Sequence, residues 1–105
     1  MLKPLAALGF TLAAIGTAAA SSSDAWAEFA AEVEQACITA AAGLVSKATA
    51  VVDPFGSESY GLAVVTGENA AGTHSSIICV FDKQTKAVEI GGELDVVVTA
   101  LEAAE

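Results

Sequence analysis

Arginine is absent from this chain, and its four lysines face 13 aspartates and glutamates, giving a formal charge of −9. That imbalance excludes whole classes of partner. Nucleic-acid binding needs Lys and Arg to displace counterions from phosphates, and a chain of this sign repels the backbone instead. An anionic membrane surface repels it too. The charge favours a cationic partner, whose association it speeds by ~10-fold or more at low salt. It also keeps a small protein soluble. Scarcity bounds the chemistry as well. The one histidine, His74, lies in a Gly/Asn/Thr-rich turn with no Cys or second His at ligand spacing, so no metal site is expected. Ser59, His74 and Asp82 make a Ser-His-Asp set on paper, but no nucleophile-elbow motif surrounds the serine. There is no Cys-x-x-Cys pair, no alternating acidic calcium loop and no Gly-rich phosphate loop. The chain reads as a non-enzyme, with no catalytic residue, cofactor or metal.

What the chain does have begins with an address. Met1-Leu2-Lys3 is a short positive start, and Pro4 to Ala20 carries no charge and is rich in Leu, Ala, Ile and Phe. The run closes on Ala18-x-Ala20, followed by Ser21-Ser22-Ser23-Asp24. A basic start, an apolar middle and a small-x-small end make a signal peptide, residues 1–20. The rival, a membrane anchor, needs a run of ~20 residues richer in Leu than this Ala- and Gly-dominated one. A second candidate cleavage motif is Ala25-Trp26-Ala27. No Cys follows either motif, so a lipid anchor is not expected, and the protein is expected to be periplasmic or secreted. Residues 21–105 then form a single small domain of 85 residues, near the lower limit for an independent core. Loss of Lys3 takes the charge from −9 to −10.

Two cysteines, Cys37 and Cys79, pair by default in an exported chain with no third. The pattern around them predicts the fold. Ser21 to Asp24 suits a helix N-cap, and Ala25 to Ala50 is rich in helix formers and lacks Pro. Trp26, Phe29, Val33, Cys37, Ala40 and Leu44 follow one another at steps of three or four, one stripe of a helix. Gly43 weakens or ends it, and residues 48–52 are either a short strand or the frayed helix end. Tyr60 to Thr66, Ser76 to Asp82 and Lys86 to Ile90 read as strands, the last ended by Gly91-Gly92. Ile77, Cys79 and Phe81 share one strand face, so a Cys37–Cys79 bond lays the helix across the sheet, against Phe29, Val33 and Leu44. The expected class is α+β: one N-terminal helix disulfide-linked to a small antiparallel sheet of three or four strands. Residues 93–105 lean towards a short C-terminal helix.

The stretch from Asp53 to Ser59 is a loop by composition, with Phe55 and Tyr60 bracketing small hydroxyl residues. Loops of that make-up are good contact surfaces, although both aromatics also suit a core. Gly56-Ser57-Glu58-Ser59-Tyr60 resembles the Ser-Gly-x-x-Tyr motif of the periplasmic inhibitors of c-type lysozyme, small exported proteobacterial proteins, with Ser and Gly exchanged. The resemblance implies that Ser57, Glu58, Ser59 and Tyr60 enter the lysozyme cleft. It also implies a lysine facing the lysozyme's catalytic carboxylates, a place that Lys83 or Lys86 would take. It further implies a mainly β-barrel fold, whereas this chain opens with a helix. The partner would be cationic, as c-type lysozymes are. The alternative is a structural or accessory cell-envelope protein. Apolar residues on the second sheet face, read as Ala63, Val65, Ile78 and Val80, would make such a protein a homodimer, since one helix covers one face only. The exported protein is expected to begin at or near Ser21, or else at Glu28. An intact-mass measurement decides, and retention of Met1 would rule out the leader.

Overall fold

The computed structural model describes residues 22–101. The signal-peptide reading and the last residues of the expected C-terminal helix lie outside them. The chain order is α1 (Ser23–Ala41), β1 (Ser46–Val52), β2 (Tyr60–Glu68), β3 (His74–Asp82) and β4 (Val88–Leu94). The four strands form an antiparallel meander in sequence order, an open sheet with β1 and β4 at its edges. The class is the α+β arrangement that the sequence pattern predicts.

Helix α1 starts where Ser22 accepts the Ala25 N–H on its hydroxyl, at 3.2 Å, and Asp24 adds negative charge to the first turn. It stops at Ala41, earlier than its Ala-rich composition predicts. Leu44 and Val45 both donate N–H bonds to the Ala41 carbonyl, turning the chain. Ser46–Val52 is then taken by β2, so strand pairing outweighs the helix propensity of Ala48 and Ala50. The early stop also changes the buried stripe. Val33 and Cys37 are fully buried as expected, but Ala41 replaces Ala40, and Val45 (3 % exposed) replaces Leu44 (39 %).

Ala63 and Val65 sit opposite Cys79 and Ile77. Directly opposed residues of an antiparallel pair share a face, so these two belong to the core and not to the second face on which the sequence reading put them. The core is completed by Phe81. Helix and sheet approach closely at Gly61, where a Cβ would stand 2.6 Å from Val33 Cγ2 and 3.0 Å from Phe29 Cζ. Cys37 and Cys79 form the expected disulfide, with Cα atoms 5.9 Å apart. Among the described residues no helix is long and apolar enough to cross a membrane.

Two further expectations are corrected. Strand β4 does not end at Gly91-Gly92. It passes through them with a register shift opposite Ile78 and continues to Leu94, because the extra residue is absorbed as a bulge. Lys86 is left in the preceding turn at φ 67°. Residues 95–101 form no helix. The stretch from Val96 to Val98 lies on the outer face of the sheet, where Ser76 Oγ donates to the Val96 carbonyl at 2.7 Å and the Val98 N–H donates to Thr66 Oγ1 at 3.4 Å. Thr66 and Ser76 hydroxyls lie 2.7 Å apart beneath this strap. Thr66 Oγ1 also donates to the Val98 carbonyl at 3.3 Å, so the two hydroxyls and the strap share one hydrogen-bond network.

The disulfide closes a loop over a sequence separation of 42, and on the chain-entropy account such a loop contributes ~3–4 kcal/mol. Cys79→Ser should lower stability by ~2–5 kcal/mol, read as a fall in urea midpoint, with the slope rising because the unlinked chain exposes more surface when it unfolds. An unchanged midpoint would show that packing alone holds the helix on the sheet.

Candidate functional site

The segment between β1 and β2 carries the predicted contact residues, and its shape follows from a few local bonds. Pro54 cannot continue the β1 ladder. The Asp53 carboxylate accepts the N–H groups of Phe55, at 3.1 Å, and Gly56, at 3.0 Å, and so starts the turn. Gly56 sits at φ 71°, where a Cβ would run into the Tyr60 carbonyl, so glycine is required there. Ser57 closes the turn. Its N–H donates to the Tyr60 carbonyl at 2.8 Å, and its hydroxyl accepts the Tyr60 N–H at 3.2 Å.

The loop is then braced from two other elements. Lys83, in the turn after β3, donates from Nζ to the carbonyls of Phe55, at 3.0 Å, and Ser57, at 2.7 Å, while its backbone N–H donates to Ser59 O at 3.0 Å. The same ammonium stands 5.7 Å from the Trp26 ring centroid and 5.3 Å from that of Phe29, within cation–π range. Phe55 meets Trp26 edge-on, with centroids 5.2 Å apart. Strand, turn and helix thus all hold the loop, and Phe55 is still 56 % exposed.

Ser57, Glu58, Ser59 and Tyr60 come together on this exposed tip. Glu58, Ser59 and Tyr60 border a polar recess of about 380 Å³ together with Asp82, Lys83 and Gln84. Asp82 accepts the N–H groups of Gln84, at 2.8 Å, and Thr85, at 2.9 Å. Those bonds, that of Thr85 foremost, hold its carboxyl below the ordinary aspartate value. A depressed native value means that this turn cap is intact at neutral pH and is lost as pH falls through that value. Lys83 is brought to the loop but lies behind it, two of its three donors spent on loop carbonyls. Lys86 pairs with Glu32 at 2.7 Å.

Tyr60 points to the outer sheet face, opposite Asp82 in register. From there the face continues as an apolar groove of about 410 Å³, lined in part by Val51, Leu62, Val64 and the 52 %-exposed Ile78, with Asp53 at its loop end. Loop tip and groove form one continuous surface. Ser59, His74 and Asp82 are not brought together, because His74 and Asp82 sit at opposite ends of β3, ~27 Å apart at the rise of a strand. No group of three His, Cys, Asp or Glu side chains converges on a common point among the described residues. Asp53 and Trp26 are the supporting residues that sequence reasoning missed. The Asp-Pro-x-Gly order is a turn signal that points to Asp53, whereas nothing in the sequence links Trp26 to the loop.

No family model matches the chain, and neither does any curated protein or solved structure.

Lys83→Met keeps much of the side-chain volume but removes both loop bonds. It should destabilise by ~1–2 kcal/mol, and hydrogen exchange at the Ser57 and Tyr60 amides should quicken by roughly 10-fold. Unchanged exchange at those two amides would show that Asp53 and Ser57 hold the loop without the lysine.

Proposed function

We propose that this protein is an exported, non-catalytic binding protein for a cationic protein, with c-type lysozyme as the partner to be tested. One observation carries the reading: an exposed loop, fixed from three sides, opens through Tyr60 onto an apolar sheet face in a chain with a large excess of carboxylates. A loop whose shape is set in advance loses little entropy on binding, which raises affinity for a given contact area. Apolar residues edged by Asp53, Glu58 and Asp82 suit a partner that combines apolar contacts with lysines and arginines. The disulfide supports export, since such bonds persist in oxidising compartments. Cleavage after Ala20 would leave Ser22 and Trp26 in place, whereas cleavage after Ala27 would remove the helix cap and the aromatic brace together.

The lysozyme resemblance supplies the loop motif. It stands against two features: the sheet is open where the family is mainly barrel, and Lys83 and Lys86 have partners within the chain. Loop and charge therefore support this reading more than a lysine aimed at the lysozyme's carboxylates does. The apolar groove also supports the second reading, an accessory envelope protein that dimerises through its outer face. Sedimentation over a range of concentrations separates the two, since a dimer that buries Ile78 is lost with Ile78→Lys.

If the loop enters a lysozyme cleft, Ser57→Ala and Tyr60→Ala should each weaken inhibition by ~1–3 kcal/mol, the scale of an interface hot spot. Inhibition should also decline as salt rises, because part of the attraction is screened. The measurement is lysozyme activity against inhibitor dose, with circular dichroism to confirm folding. Full lysozyme activity at a large molar excess of folded protein in low salt would discard this partner.

A further inference from the structure

Lys83 borders a second concavity, between α1 and β3, whose wall includes the Trp26 and Lys83 that brace the loop. Its volume is about 270 Å³, just below the usual range of ligand pockets, and Trp26, Phe29 and Phe81 line it. Trp26 and Phe29 meet at 88°, and Phe29 and Phe81 at 77°, so ring faces and edges alternate around the space. Lys83, Lys86 and Glu32 complete the lining.

The charge here runs against the rest of the molecule. Of the three lysines among the described residues, two line this one cavity. Lys83 donates two hydrogen bonds to loop carbonyls and keeps a third N–H. Lys86 gives one N–H to Glu32 and keeps two, with its side chain 61 % exposed. The lining therefore carries two ammonium groups against one carboxylate, a local excess of positive charge in a chain of −9. The loop brace accounts for Lys83. Lys86 pairs with Glu32, and neither contact accounts for the aromatic cavity left open beside both lysines.

We propose that this cavity is a binding site for a small organic anion with a flat apolar body, an aromatic carboxylate. The ring stacks or packs edge-on among Trp26, Phe29 and Phe81, and the carboxylate takes the spare N–H donors of Lys86 and Lys83. Glu32 sets the affinity from the other side, by occupying Lys86 and repelling the ligand. The site shares Trp26 and Lys83 with the brace of the loop, but it does not require that the loop bind lysozyme.

The chain has a single tryptophan, so the Trp26 indole N–H gives one isolated peak in a proton–nitrogen correlation spectrum of the folded protein. The probes are 2-naphthoate and its neutral counterpart 2-naphthalenemethanol. Naphthoate should shift the Trp26 peak saturably, and the alcohol should need at least 10-fold more for half the effect. Lys86→Gln, at an exposed turn, should raise the naphthoate midpoint threefold or more, while Glu32→Gln should lower it by a similar factor. The opposite signs of these two changes are not produced by apolar sticking. No saturable shift up to the solubility limit, equal midpoints for acid and alcohol, or a midpoint that either substitution leaves unmoved would each overturn the proposal.

Discussion

The bond between Cys37 and Cys79 is the constraint on which the rest of the structure depends. It joins the one described helix to the middle of β3, at the centre of a core whose fully buried hydrophobic residues number only a handful. The helix commits just Val33, Cys37 and Ala41 to complete burial. A contact of that size is a weak hold in a chain this short, where surface is large relative to volume. The covalent link removes much of the freedom that the separated helix and sheet would regain on unfolding. Gly61 then lets the helix settle against the β2 backbone, since any side chain there would collide with Val33.

Each of the three lysines among the described residues has a partner within the fold. Lys47 faces Glu68 at 3.8 Å across the β1–β2 pair, Lys86 ties the β3–β4 turn to α1 through Glu32, and Lys83 holds the β1–β2 loop by its carbonyls. Lys83 is the most connected of these. Its ammonium sits over two aromatic rings and between two carbonyls, so the loop, the helix start and the turn after β3 share one cation. The carboxylates outnumber these ammonium groups, and most therefore remain solvated. That unpaired excess gives the surface its field.

The two faces of the sheet are finished differently. The inner face is closed by the helix. The outer face is closed at one end only, where Thr66 and Ser76 supply the hydroxyls that the strap from Val96 to Val98 needs for its backbone groups. At the other end Leu62, Val64 and Ile78 stay open beside the loop. The hydroxyls lie where the strap brings backbone polar groups that need partners, and the aliphatic groups lie where the described residues bring none.

Much of the architecture was legible in the residues. The helix stripe from Phe29 to Cys37, the alternation around Cys79 and the pairing of two lone cysteines pointed to one helix on one antiparallel sheet, because side-chain periodicity and burial are local properties that a sequence displays directly. The glycine and proline of the β1–β2 loop marked a turn for the same reason. What the sequence left open were outcomes of competition between segments. Residues 46–52 are strand and not helix because the edge of β2 was available to pair with them. Ala63 and Val65 face inward because register with Cys79 and Ile77 sets their side. Val96 to Val98 form a strap because Thr66 and Ser76 lie where their hydroxyls can be used. The aromatic cavity with two lysines at its wall is of the same kind: Trp26 is far in the chain from Phe81 and Lys86, and only the folding of α1 onto β3 makes them neighbours.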